Sequence, residues 1–196
     1  MSRDAEVKRE TKETSITVSV GLDGTGESSI TTGVAFFDHM LDQLAKHSGI
    51  NIEIKADGDL EVDAHHTVED VGIALGEAIT EALSDRAGIS RYGWSLVPME
   101  EALASVALDI SGRPYLAYKV DVPAEAVGNY DPDLTEEFFM ALSRSAGLTL
   151  HITQLAGKNS HHIIECVFKA TARALSMAIS HEARRGGQIP STKGSL

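Results

Sequence analysis

The chain has 196 residues, 42% hydrophobic and 23% charged, the composition of a globular protein with room for a substantial core. Lys and Arg number 17 against 29 Asp and Glu, so the formal charge is −12 with His neutral, which excludes the basic face of a general nucleic-acid binder. No apolar run approaches the ~20 residues of a membrane span, the segment Met1 to Thr11 lacks the apolar stretch of a secretory signal, and the single Cys166 excludes an intrachain disulfide, so a cytoplasmic enzyme is expected.

In chain order, Ile16, Val18 and Val20 alternate with Thr and Ser, which predicts a half-buried strand, and Asp23-Gly24 predicts a hairpin turn toward Glu27 to Thr31. Phe36, Phe37, Met40, Leu41 and Leu44 recur at helical spacing, and Ile50 to Ile54 returns to a period of two. After a turn at Asp57-Gly58, Leu60 and Val62 suggest another strand. Its solvated face would carry Asp57, Asp59, Glu61 and Asp63, which lack the Gly and terminal Glu of a calcium loop. Val68, Val71, Leu75, Ala78, Ile79 and Leu83 form the apolar face of a long helix ending before Gly88. Strands follow over Leu103 to Ile110 and Tyr115 to Val122, then helices over Thr135 to Ser145 and Ile163 to Ser180 flanking a strand from Leu148 to Thr153. Only the two tails read as loose.

The second half repeats the first. Phe37-Asp38-His39-Met40-Leu41, Gly49-Ile50-Asn51-Ile52 and His65-His66-Thr67-Val68-Glu69 find counterparts in Glu136-Glu137-Phe138-Phe139-Met140, Gly147-Leu148-Thr149-Leu150 and His161-His162-Ile163-Ile164-Glu165. The offset is 147 − 49 = 98 at the glycines and 161 − 65 = 96 at the histidines. The expected fold is therefore α+β, with two repeated half-domains over 9–91 and 92–185 and a tail over 186–196. Each half is a small, mostly antiparallel sheet with helices on one face, and the halves pack together because neither has much core alone.

Two copies of H-H-x-x-E in one chain point to metal ligation. At the start of a helix, the Glu lies beside either imidazole, while adjacent histidines diverge by about 100°. One ion could hardly take both; two ions could use all four. Repeat logic adds His39 and Glu137, so the candidate ligands are His39, His65, His66, Glu69, Glu137, His161, His162 and Glu165. Imidazole and carboxylate without thiolate suit Mn²⁺, Fe²⁺ or Zn²⁺, and open octahedral positions favour Mn²⁺. Cys166 reads as a packed thiol and His151 as a satisfied strand histidine. Arg91, Arg113, Lys169 and the tail Pro190-Ser191-Thr192-Lys193-Gly194 are the candidates for holding an anion in this acidic chain.

Together with Phe36-Phe37-Asp38-His39-Met40-Leu41, Asp109-Ile110-Ser111-Gly112-Arg113-Pro114 and the Pro-Ser-Thr-Lys-Gly ending, these motifs closely resemble the imidazoleglycerol-phosphate dehydratases, from about Arg9 to Leu196. The resemblance implies a di-manganese enzyme in a 24-subunit shell with active sites at subunit interfaces. It would convert imidazole glycerol phosphate to imidazole acetol phosphate and water in histidine biosynthesis, with two Mn²⁺ per subunit. Carried over by motif, His39, His65, His66, Glu69, His161, His162 and Glu165 are ligands, and Glu137 stands where many members carry His. Glu13, His47, Arg91, Arg113, Lys169, Ser191 and Lys193 fall where the family contacts substrate, the last two on the tail.

In such a reaction the substrate's own imidazole is the electron sink for a carbon-bound proton, and Glu13 is the candidate for proton transfer. The arginines, lysines and Ser191 would anchor the phosphate. Two rival readings use the same residues: a dinuclear hydrolase of phosphate esters, and a metal-storage shell without catalysis.

Overall fold

The computed structural model describes residues 2–123 and 126–196 and resolves them into two four-stranded sheets and four long helices. The first half comprises β1 (Asp4–Glu10), β2 (Thr14–Gly21), β3 (Ser28–Thr31), α1 (Ala35–Ser48), β4 (Asn51–Gly58) and α2 (His65–Leu83). The second comprises β5 (Tyr92–Met99), β6 (Ala102–Asp109), β7 (Tyr115–Lys119), α3 (Leu134–Ala146), β8 (Thr149–Ala156) and α4 (Ser160–Ile179). Strand orders β1-β2-β4-β3 and β5-β6-β8-β7 are the same, two antiparallel pairings followed by a parallel one. The α+β architecture of two repeated half-domains is as expected.

Three local expectations fail, each for a physical reason. Residues 27–31 do not return as a hairpin on β2; β4 takes that place, because Ile16, Val18 and Val20 find apolar partners in Ala56, Ile54 and Ile52. Asn51 Oδ1, at the start of β4, accepts from the backbone N–H groups of Thr25 and Glu27 and ties the connecting loop down. Leu60 and Val62 lie in a tight turn closed by Leu60 N–H to Gly58 O and Val62 N–H to Asp59 O, so Asp59, Glu61 and Asp63 do not line a strand. The N-terminus is not loose: β1 pairs with β2 along its whole length. Neither β1 nor β5 was expected. β1 buries only Val7, and β5 turns Trp94 and Leu96 outward and carries Pro98, which an edge strand tolerates.

Each sheet packs its own two helices on one face, and these meet the helices of the other half, α1 against α4 and α2 against α3. The second contact depends on Gly72 and Gly76, where an added Cβ would lie 2.9 Å from Phe138 O and 2.7 Å from Ser145 Cβ. Phe37 of the first half packs edge-on against Phe138 of the second, which stacks on Phe168, so the two halves share one core. α1 and α3 both end on a left-handed glycine, Gly49 and Gly147. These crossings set helix starts of opposite halves side by side, which positions the site.

Candidate active site

The fold brings three of the candidate ligands together from both halves. His39 on α1 and His161 on the first turn of α4 have ring centroids 5.9 Å apart. Glu165, one turn further along α4, presents Oε2 at 2.9 Å from His161 Nε2 and 3.4 Å from His39 Nε2. The three donor atoms lie within 4.8 Å of one another. Two imidazole nitrogens and a carboxylate oxygen converging at that spacing fit a divalent cation. Burial pushes the Glu165 carboxyl up, but hydrogen bonds from Lys169 and His161 outweigh it and the carboxyl ends below its ordinary range. Lys169 Nζ holds the other oxygen, Oε1, at 2.5 Å. His47, two turns beyond His39, is partly buried; that burial and the charges of Lys169 and Arg173 lower its pKa.

The other ligands gather at the start of α2. His65 Nε2 lies 4.0 Å from Glu69 Oε2 across one turn, and Asp63, just ahead of the helix, accepts from the His65 backbone N–H at 2.7 Å. Glu137, near the start of α3, lines a cavity of about 460 Å³ with His65 and Asp63. The repeat is thus realised spatially: His39 faces His161 across α1 and α4, and Glu137 shares a cavity with His65 across α3 and α2. Among the described residues, His65, Glu69 and Glu137 do not converge as tightly as the first cluster.

The second histidine of each doublet has a carboxylate on Nδ1. His66 Nδ1 lies 3.0 Å from Asp59 Oδ2, and this bond raises the His66 pKa. His162 Nδ1 lies 2.7 Å from Glu101 Oε2, while Glu101 Oε1 accepts from the backbone N–H groups of Lys158 and Asn159. The His162 bond, with these backbone bonds, holds the Glu101 carboxyl down at about 2. Glu13 is exposed in the β1–β2 turn, and its carbonyl accepts from Asp59 N–H at 3.1 Å, beside the His66 group.

The candidate anion-binding residues lie elsewhere. Arg91 precedes β5, where its N–H bonds Ala178 O at the far end of α4. Its side chain pairs with Asp109 at 2.7 and 3.1 Å and donates Nη1–H to Pro190 O at 2.8 Å, which fixes the tail beside Ser191. A guanidinium has five N–H donors, so two remain. Arg113 follows β6 at the same end and is exposed, as is Lys193. Lys169 is not with them; it sits beside Glu165. From His161 to Ala178 along α4 is about 26 Å at 1.5 Å per residue, and β5 separates Arg91 from the Glu101 turn by about 23 Å.

The profile of the imidazoleglycerol-phosphate dehydratases matches residues 32–175. The chain belongs to this family. Sequences bearing that name from Prochlorococcus marinus MIT 9313 and Dinoroseobacter shibae are each 56% identical over 194 residues, covering 99% of this chain and 93% and 100% of theirs. The crystal structure of the Staphylococcus aureus member aligns with a TM-score of 0.83 at 41% identity, covering 91% of this chain and 99% of that one. The Pyrococcus furiosus member aligns with a TM-score of 0.84 at 38% identity, covering 97% and 100%. The protein is an enzyme of the hydro-lyase class, a dehydratase of histidine biosynthesis. No helix among the described residues is long and apolar enough to cross a membrane.

Sequence reasoning passed over Asp59, Asp63, Glu101 and Asp109. Asp59 and Asp63 looked like a solvated face. The available signal for Glu101 was the offset between the β-hairpins: β2 begins at Thr14 and β6 at Ala102, so 102 − 14 = 88 places Glu101 where Glu13 stands. Cys166 is a packed thiol, buried and donating to Val97 O. His151 lies on β8, exposed beside Tyr115 and away from the histidine doublets.

Proposed function

We propose that this enzyme dehydrates imidazole glycerol phosphate to imidazole acetol phosphate, with two Mn²⁺ per subunit held by His39, His65, His66, Glu69, Glu137, His161, His162 and Glu165. The observation that carries the reading is the convergence of His39, His161 and Glu165 from the two halves of the chain. When bound, the ions supply positive charge against which the substrate's imidazole ring can accept the electron pair left on carbon. Glu13 moves a proton between the substrate carbon chain and the departing hydroxyl. The carbon-bound proton and the hydroxyl leave as water, and the enol that remains becomes the ketone. Arg113, the two free N–H groups of Arg91, Ser191 and Lys193 bind the phosphate and fix the reacting end, while His47 and Lys169 face substrate from the metal end.

The two ends are too far apart within one chain for a three-carbon phosphate to bridge. That separation supports a site built from several copies, and the family resemblance adds the expectation of a closed homo-oligomer of 24 subunits. Incubating the purified protein with imidazole glycerol phosphate before and after chelation, and again after adding Mn²⁺, tests the reading. Loss and recovery of dehydrated product is expected; full turnover after exhaustive metal removal would overturn metal dependence, and released inorganic phosphate would favour a hydrolase.

A further inference from the structure

The contact between a doublet's second histidine and a carboxylate occurs twice, yet its source differs between the halves. Asp59 follows β4 directly, but β8 carries a register shift: Asp57 lies opposite Ser15 and Ala156 opposite the counterpart Leu103, so the place equivalent to Asp59 is Lys158. Gly58 and Gly157 are the matching glycines, an added Cβ meeting Thr67 at the first and its counterpart Ile163 at the second, and Lys158 beyond them offers no carboxylate. Glu101 reaches the same ring atom from the β5–β6 turn, held by the N–H groups of Lys158 and Asn159. In the first half the place equivalent to Glu101 is Glu13, which makes no such bond because Asp59 already occupies His66 Nδ1.

We infer that Glu101 and Asp59 are positioning residues for the two metal sites, each fixing the hydrogen of its histidine on Nδ1 and aiming Nε2 at the ion. The inference rests on the proposed metal sites. A carboxylate behind a ligating imidazole sets its tautomer, locks its orientation and makes the free nitrogen a better donor. The same atom served from non-equivalent places marks the contact, and not a shared ancestral side chain, as what both halves retain. It also explains a division of labour. Because Asp59 serves His66, Glu13 is left free for proton transfer, while its repeat counterpart Glu101 is committed to His162.

The test is Mn²⁺ binding by the full-length protein, stripped with chelator and measured by equilibrium dialysis, for the unaltered chain, Glu101→Gln, Asp59→Asn and the neighbouring surface control Glu100→Gln. The expected result is a dissociation constant raised about 10- to 100-fold in the first two variants, unchanged in the control, with every metal-free protein still unfolding in one cooperative transition. Long-range proton–nitrogen spectra of the metal-free protein should find His66 and His162 with the hydrogen on Nδ1. Affinities within twofold of the unaltered chain in both variants, or the hydrogen found on Nε2, would overturn this inference and leave the metal reading standing. Failure of the unaltered chain to bind Mn²⁺ would overturn the metal reading itself.

Discussion

Lys169 Nζ holds Glu165 Oε1 at 2.5 Å, while the other oxygen of the same carboxylate faces His39 and His161. The Glu165 side chain is only 7% exposed, so its charge depends on this partner until a cation arrives. Lys169→Met should therefore destabilise the metal-free protein by about 3 kcal/mol, the cost of stranding a buried charge. In the Mn²⁺-loaded protein the loss should be smaller, because the ion takes over the neutralisation. Thermal unfolding with and without Mn²⁺ checks this; equal losses in both states would show that Lys169 does not serve Glu165.

Gly76→Ala tests the helix crossing that joins the halves. Alanine gains about 1 kcal/mol of helix propensity over glycine, but its Cβ would lie 2.7 Å from Ser145 Cβ and 2.9 Å from Ala146 N. Both neighbours belong to a packed helix and cannot swing away. A net destabilisation of about 1–3 kcal/mol is expected. A variant as stable as the parent would show that α2 and α3 can separate without cost.

The legible parts of the chain were those with periodic burial or a repeat. The helices over α1 and α2 buried the faces their spacing announced, and the two H-H-x-x-E motifs stood at helix starts as the doubling required. The edge strands were illegible because β1 buries one side chain and β5 faces Trp94 and Leu96 to solvent, so neither shows apolar alternation toward a core. Glu101 and Asp59 were hidden for a different reason. Their partners are distant or reached through a turn, and an acid in a turn has no sequence signature until the ring it touches is placed.

Arg3 ties the start of the chain to its far end, pairing with Asp23 and donating Nη1–H to Ile179 O at 2.6 Å. The Arg3 hydrogen bond lowers the Asp23 pKa. A depressed folded value means that the stabilisation is fully present above the ordinary Asp value of about 3.9 and is lost as pH falls through the lower folded value. Asp23 is 59% exposed, so Asp23→Asn should cost less than about 1 kcal/mol at pH 7. Unfolding curves of parent and variant should converge in strong acid; a gap that widens there would reverse the sign of the linkage.

Glu13→Gln separates proton transfer from ligation. Glu13 is exposed and stands beside the His66 group without joining it, so the variant should fold and bind Mn²⁺ as the parent does. Turnover should fall about 10²- to 10⁴-fold, the range for losing a positioned acid or base. Metal analysis and steady-state kinetics on the same preparation decide it, and parental turnover would remove Glu13 from the reaction.

The separation of the two ends of the chain makes a sharper prediction than any single substitution. Arg91 and Arg113 stand at the C-terminal end of α4, and His161 and Glu165 at its N-terminal end, about 26 Å away along the helix axis. If a working site combines the metal end of one copy with the anion end of another, two crippled chains can repair each other. His161→Ala and Arg113→Ala should each be nearly inactive alone. Co-expressed in equal amounts and assembled together, they should recover about a quarter of the parental turnover, because a site is intact when each of its two contributing copies happens to be the right one. Activity no higher in the mixed assembly than in either variant alone would place both ends of the site in one chain, and the long axis of α4 would then have to be bridged in some other way.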